Sequence, residues 1–326
     1  MKGGLTVLTI KLLDYKKLLK DMKEIAKTCN DEQARYMVDL YYSIQKVRVA
    51  LGNRVHALEE DNEPFDLLGA MHSGLVELEE LIQSTLKAYT KRHPMGLWLL
   101  SITGIGPVLS AGLVANIDIE KLQSAGQLWS FAGLNPDAVW EKGKVRPWNA
   151  RLKVLCWKIG ESFMMQSFRP NCYYGHLYLQ RKEYEMKNNS TGKLSDYAKY
   201  MLKAKPGIKK HTKAYAAYSK GELPDSQIVA RAKRWAVKIF LSHFFAHWYE
   251  WETGKKAPIP YVIQHMGHCH EITPPPMVIN PKTIIYTEDE KAARRLKKAK
   301  RKEVLRQRME KAQIKRQKQL EEAGLA

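Results

Sequence analysis

The chain has 326 residues, 44% of them hydrophobic, enough to bury the core of one large domain or two modest ones without covalent help. Its four cysteines (Cys29, Cys156, Cys172, Cys269) are far apart and form no CxxC pair, which excludes a disulfide framework and a four-thiolate zinc site and leaves free thiols. The formal net charge is +20; 14 Lys or Arg between Lys291 and Lys318 face only Glu303 and Glu310 there, so +12 sits in the tail and +8 is expected to spread over the body.

A charge of this sign attracts polyphosphate, because each cation that neutralises a phosphate releases a condensed counterion. RNA, DNA and an anionic membrane are all possible partners for such a charge. No stretch of about 18 apolar residues occurs, and the short run Leu5 to Ile10 has no small-residue cleavage site after it, so a cytoplasmic protein without a membrane partner is expected.

The elements in chain order predict a mainly α protein in four parts. Residues 1–94 read as a helical hairpin or coiled coil, with apolar residues at helical spacing (Met37, Leu40, Tyr41, Ile44, Val47, Leu51) and breaks near Asn30 and Pro64. Asn30 or Asp31 suits an N-cap, and Pro64 suits the start of the next helix. Such helices pair with one another or with a second copy, so a homo-oligomer through this region is expected. The carboxylates Asp14, Asp21, Glu24, Asp31 and Asp39 read as solvated faces.

Residues 95–162 read as a compact unit of short helices and turns. Residues 163–286 form a helical extension, with a loop at Asn188, Asn189, Ser190 and Gly192 and a turn at Pro206-Gly207. A strong helix from about Asp225 to Thr253 follows, opened by Pro224 and closed by Gly254, and a proline-rich segment ends at Pro276. Residues 287–326 read as a basic tail, helical or disordered.

The segment that carries the chemistry is LLSITGIGPVLSAGLVANI from Leu99. Two short helices are expected to flank the loop Thr103 to Pro107 as a helix-hairpin-helix. Gly104 and Gly106 would let the backbone turn tightly and approach another backbone, and Ile105 would point inward. The second helix would begin near Pro107 and offer free amides and the positive end of its dipole to a phosphate oxygen. A grip of this kind holds the backbone of the nucleic acid and reads little sequence. The alternative is a plain turn with glycines for packing.

Downstream come QLWSFAGLNP (Gln127 to Pro136), KGK (Lys142 to Lys144) and NARLKVL (Asn149 to Leu155). In this order the pieces resemble the C-terminal transposase domain of the insertion-sequence-110 family, mobile-element recombinases that work with a bridge RNA. The resemblance implies composite catalysis, in which an RNase-H-like domain brings four acidic residues for magnesium and a serine a few residues after GLNP attacks DNA. Here Trp140 and Glu141 stand at those positions, and no serine or threonine lies between Ser130 and Ser162. The helical pattern before Leu99 is also expected to leave no room for the acidic domain. Ser162, Tyr173 and Tyr174 are the nearest hydroxyls.

Two further clusters stand out. His243 and His247 lie four apart on the strong helix, with His268 and Cys269 in HMGHCHE beyond, a spacing that suits zinc; the alternative is histidines packed in an aromatic core. Arg231, Lys233 and Arg234, with Lys209, Lys210, His211, Lys213, Tyr215 and Tyr218, read as a phosphate and base-stacking surface or as a solvated face. The expected nucleic-acid contacts are Thr103, Gly104, Ile105, Gly106, Lys142, Lys144, Arg151, Lys153, Arg231 and Arg234, with Arg294, Arg295, Lys297 and Lys298 of the tail. The expectation is a DNA-binding protein of transposase descent that does not cleave alone. The alternatives are an active transposase that takes its acidic domain and RNA from partners, and a helical structural oligomer.

Overall fold

The computed structural model describes Asp21, Met22, Glu24, Ala26, residues 28–136, 138–259 and 272–276, and Leu296. These residues form ten α-helices and one 3-10 turn, with no strand among them, in keeping with the mainly α expectation. They divide into two compact units. One takes in Ser43–Glu79 and Asn280–Ala326, of which only the first stretch and Leu296 are described; the other takes in Met1–Tyr42 and Glu80–Ile279.

Helices α1 (Asp31–Glu60) and α2 (Asp66–Arg92) make the expected hairpin. Asn30 Oδ1 accepts from the Gln33 amide at 2.8 Å and Gln33 Oε1 accepts from the Asn30 amide at 3.0 Å, a reciprocal cap that fixes the start of α1. At its end Asn62 takes φ 57°, and the Glu63 amide donates to Leu58 O at 2.9 Å, which closes the last turn. Within Ser43–Glu79 no apolar side chain is fully buried; Leu51, Val55, Leu68 and Leu75 are half-buried, and Arg48 Nε donates to Glu79 Oε1 at 2.6 Å.

In the larger unit, α3 (Gly96–Ser101), α4 (Pro107–Asn116), the 3-10 turn Ile119–Lys121, α5 (Ala125–Phe131), α6 (Ala150–Gln166) and α7 (Tyr173–Ser190) precede a long helix α10 (Asp225–Thr253). Helix α10 packs on α5, α6 and α7, and α4 packs on α6. The Trp98 ring stacks on Phe240 and Phe244 at 6.0 and 6.2 Å, and Phe163 lies 5.0 Å from Tyr174 and 5.5 Å from Phe240. Each such ring contributes roughly 1.5–3 kcal/mol by leaving water. Gly254, at φ 65°, ends α10 where the glycine predicts.

Helix α7 runs further than expected. Asn188, Asn189 and Ser190 are its last turn, and the loop begins at Thr191, with Gly192 at φ 75°. The reason is tertiary: the Asn189 amide group donates to Leu223 O at 3.0 Å and accepts from Leu223 N at 2.8 Å, a pairing 34 residues away that favours the helix. Helices α8 (Ser195–Ala204) and α9 (Lys213–Ser219) follow, joined through the expected turn at Pro206-Gly207, and pack around Ala198, Tyr218, Leu223 and Ile228.

Candidate nucleic-acid interface

The loop between α3 and α4 is built by two glycines with different tasks. Gly104 takes φ 101°, a conformation side chains resist, and a Cβ there would stand 3.0 Å from the Phe163 ring. Gly106 takes an ordinary extended conformation, and a Cβ there would meet nothing within 4 Å. The reading that both glycines serve a tight turn is therefore corrected: Gly104 makes the turn, and neither the backbone angles nor the space at Gly106 requires a glycine there. Ile105 is buried, as are Ile102, Ala111, Leu113 and Val114. Thr103 O and Gly104 O face inward, accepting from Cys172 Sγ at 3.6 Å and Ser162 Oγ at 2.6 Å. At the start of α4 the Ser110 amide donates to Gly106 O at 3.0 Å, no side chain caps the helix, and Val108 and Leu109 are buried.

Downstream, the GLNP turn is a helix cap. Gly133 takes φ 67°, its amide donates to Ser130 O at 3.0 Å, and the Leu134 amide donates to Trp129 O at 2.9 Å. A Cβ on Gly133 would lie 2.9 Å from the Trp148 ring. The exposed loop that follows turns at Gly143 (φ 90°), where Trp140 Nε1 donates to Lys144 O at 2.7 Å and Arg146 lies over the Trp140 ring at 4.9 Å. Lys142 and Lys144 are exposed, with Lys144 Nζ 2.7 Å from Glu141 Oε2. Arg151 pairs with Asp39 at 3.1 Å above the Tyr36 ring, and Lys153 lies 4.0 Å from the Trp148 ring centroid. The loop and the start of α6 thus bring basic groups and aromatic rings together.

Other expected contacts fall elsewhere. Arg231 is drawn inward, its Nε donating to Glu185 Oε2 at 2.8 Å, while Arg181 donates twice to Glu185 Oε1. Glu185 is 1% exposed, so the two guanidinium groups neutralise a buried carboxylate between α7 and α10. Lys233 pairs with Glu161, and Tyr218 is buried with its hydroxyl on Gln227 at 2.6 Å. The surface predicted from Arg231, Lys233 and Tyr218 therefore does not form: the two cations meet internal carboxylates and the ring meets the core. Arg234 is exposed. Arg294, Arg295, Lys297 and Lys298 lie outside the described residues. Sequence reasoning missed Tyr197 and Tyr200 on α8, both exposed and stacked at 6.1 Å. Their signal was available, since Ala198, Met201 and Leu202 mark the opposite face as the packed one.

The hydroxyls near the missing serine are all engaged. Ser162 donates to Gly104 O, Tyr173 to Thr273 O at 2.6 Å, and Tyr174 to His243 Nδ1 at 2.9 Å. His243 Nε2 donates to Ile272 O at 2.7 Å, which fixes the tautomer: Nε2 carries the proton and Nδ1 accepts. Burial lowers the His243 pKa to about 4 and raises that of Tyr174. A buried tyrosine on a weakly basic imidazole has neither access nor a base. His243 also keeps no lone pair for a metal, so zinc at His243 and His247 is corrected to a histidine satisfied in the core; His268 and Cys269 lie outside the described residues. Among the described residues no three His, Cys, Asp or Glu converge. Cys29, Cys156 and Cys172 are free and buried.

A cleft of about 670 Å³ is lined by Asp31, Arg35, His93, Asn116, Lys121 and Trp248; Arg35 donates there to Ala115 O, and burial lowers the His93 pKa to about 4. No described helix is long and apolar enough to cross a membrane.

Compared with known proteins, the chain matches no curated protein and no solved structure. One family model does match, over residues 97–140, the stretch that holds α3, the glycine loop, α4, α5 and the GLNP cap. That segment is similar to the Transposase IS116/IS110/IS902 family; the match covers residues 97–140 of the 326.

Proposed function

We propose that the chain binds DNA as a protein of transposase descent, related to transposition and recombination, acts in the cytoplasm, and does not cleave DNA by itself. The observation that carries this reading is the match of residues 97–140 to the transposase family, a segment in which Gly106, next to the start of α4, borders open space. Lys142, Lys144 and Lys153 beside Trp140 and Trp148 add cations to the same domain, and the tail adds nonspecific affinity. The engaged hydroxyls of Ser162, Tyr173 and Tyr174 support binding without cleavage. The test is fluorescence anisotropy with duplex DNA over a salt series. Affinity should fall steeply with salt, and removal of residues 291–318 should flatten the slope. No binding of the full chain to DNA or RNA at low salt ends the proposal. Cleavage of an element end by the chain alone with Mg²⁺ ends its second half.

We also infer self-association through Ser43–Glu79. Leu67 is 75% exposed and Met71 55%, and the stretches of α1 and α2 within Ser43–Glu79, which have no fully buried apolar side chain, gain from a second pair. Light scattering on the full chain should report more than a monomer, and Leu67→Lys with Met71→Lys should reduce it to one. A monomeric parent protein would refute this.

A further inference from the structure

We propose that the segment from Lys187 to Lys220 is a second nucleic-acid contact, a lysine-bearing grip for a single strand that stacks unpaired bases on Tyr197 and Tyr200. It rests on the nucleic-acid reading above but on different residues, outside the stretch that matches the transposase family. The +8 beyond the tail does not spread over the body as expected. Between Lys187 and Lys220 stand nine lysines and one acid, Asp196, a net +8; with the +12 of the tail this accounts for the whole +20, so the rest of the chain is neutral.

All nine lysines are exposed. Among the described residues only Lys199 has a carboxylate partner, Asp196 at 3.5 Å, itself fully in solvent. The arginines nearby behave oppositely, with Arg181 and Arg231 held on Glu185. A surface of unpaired like charges lowers the stability of its own fold, and a polyanion relieves that repulsion. The module carrying it is small, with α8 and α9 packed around Ala198, Tyr218, Leu223 and Ile228. Its core face is thereby fixed, and the opposite face of α8 carries Lys199, Lys203 and Tyr200.

The tyrosines specify the kind of strand. Tyr200 is 61% exposed and Tyr197 40%, and their rings stack at 6.1 Å with an interplanar angle of 26°. Tyr197 also lies under the Arg231 guanidinium at 5.8 Å, which steadies it. The outer ring is left beside Lys199 and Lys203, one residue and three residues away on the same helix. A phosphate chain tracked by those lysines brings its bases to the ring only if they are unpaired, since a duplex hides the faces that stack.

The experiment uses the full chain with dT20, U20 and a 20-base-pair duplex, read by anisotropy over a salt series. Replacing Lys199, Lys203, Lys209 and Lys210 with Gln should lower the logarithmic salt slope on the single strands by about 3. Tyr200→Leu should weaken the single strands about tenfold and leave the duplex unchanged. Both variants should keep the parent circular dichroism and neither should lower the urea midpoint, because the replaced groups are exposed and removing lysines relieves repulsion. If the parent binds but the four-lysine variant keeps its slope, the grip is wrong while the broader reading survives; if the parent binds nothing, the broader reading fails first. Equal weakening of single strand and duplex by Tyr200→Leu, or none, overturns the stacking. Loss of binding to phosphatidylserine vesicles with oligonucleotide binding intact overturns the proposal in favour of a lipid surface.

Discussion

Between Gly96 and Asn116 the chain has no charged side chain, and every residue from Val108 to Ala115 is buried; between Lys187 and Lys220 it has nine lysines, all in solvent. The first region has a backbone whose course is set by packing against Phe163, Ser162 and Cys172. The second offers charge on long flexible stems, of which only Lys199 meets a carboxylate among the described residues. Precision and electrostatic strength are therefore assigned to different parts of the molecule, and they should fail differently. A change in the hairpin should act on folding first, whereas a change among the lysines should act on binding alone.

The largest expected effect belongs to Gly104→Val. The strain of φ 101° and the clash with Phe163 together should cost about 4 kcal/mol, read as a fall in the urea midpoint. A variant as stable as the parent would break the claim that packing directs the loop. Next is Glu185→Gln, which leaves Arg181 and Arg231 facing an uncharged buried group and should cost about 3 kcal/mol, while Lys203→Gln should leave stability unchanged within about 0.5 kcal/mol. Equal costs would erase the distinction between engaged arginines and free lysines.

Acid should act on the aromatic core and not on the lysines. The His243 pKa is lowered by burial from 6.5 to about 4, so the folded form resists a proton that the unfolded chain accepts. Stability is then full above pH 6.5 and declines as the pH falls toward 4, by about 3 kcal/mol from this residue. Protonation puts a second donor against the Tyr174 hydroxyl, which now donates to Nδ1. Thermal melts between pH 7 and pH 4 should show the decline, and His243→Gln should flatten it. An unchanged slope in that variant would assign the acid sensitivity elsewhere, His93 being the other buried imidazole held near 4.

What was legible in the sequence were the features whose causes are local. The glycines around Ile105 announced the loop, Asn30 or Asp31 announced a cap that the structure gives to Asn30, and Pro224 with Gly254 bounded α10. What was not legible depends on partners distant in the chain. Asn188 to Ser190 read as a loop until Leu223 bonds Asn189, and Arg231 read as a surface cation until Glu185, 46 residues earlier, receives it. The tyrosines show both cases. Tyr215 and Tyr218 stood next to lysines and were chosen for that, yet Tyr218 packs on Ala198 and Ile228, and Tyr197 and Tyr200 take the solvent. Adjacency to charge said less than position on the helix.

The smallest effect on folding carries the finest test of the hairpin. Gly106→Ala adds a Cβ into open space at an ordinary φ of −89°, so the urea midpoint should move by less than about 0.5 kcal/mol, in contrast with Gly104 two residues earlier. If Gly106 stays small so that a phosphate can reach the amides of α4, duplex affinity should nonetheless fall, by about threefold for Ala and further for Gly106→Glu, whose carboxylate opposes the anion where the helix dipole favours it. The salt slope should stay the same for Ala, because no cation has been removed. A Gly106→Glu protein that folds and binds duplex DNA as tightly as the parent would leave the loop a packing device, and the affinity for DNA would then rest on the lysines and the tail.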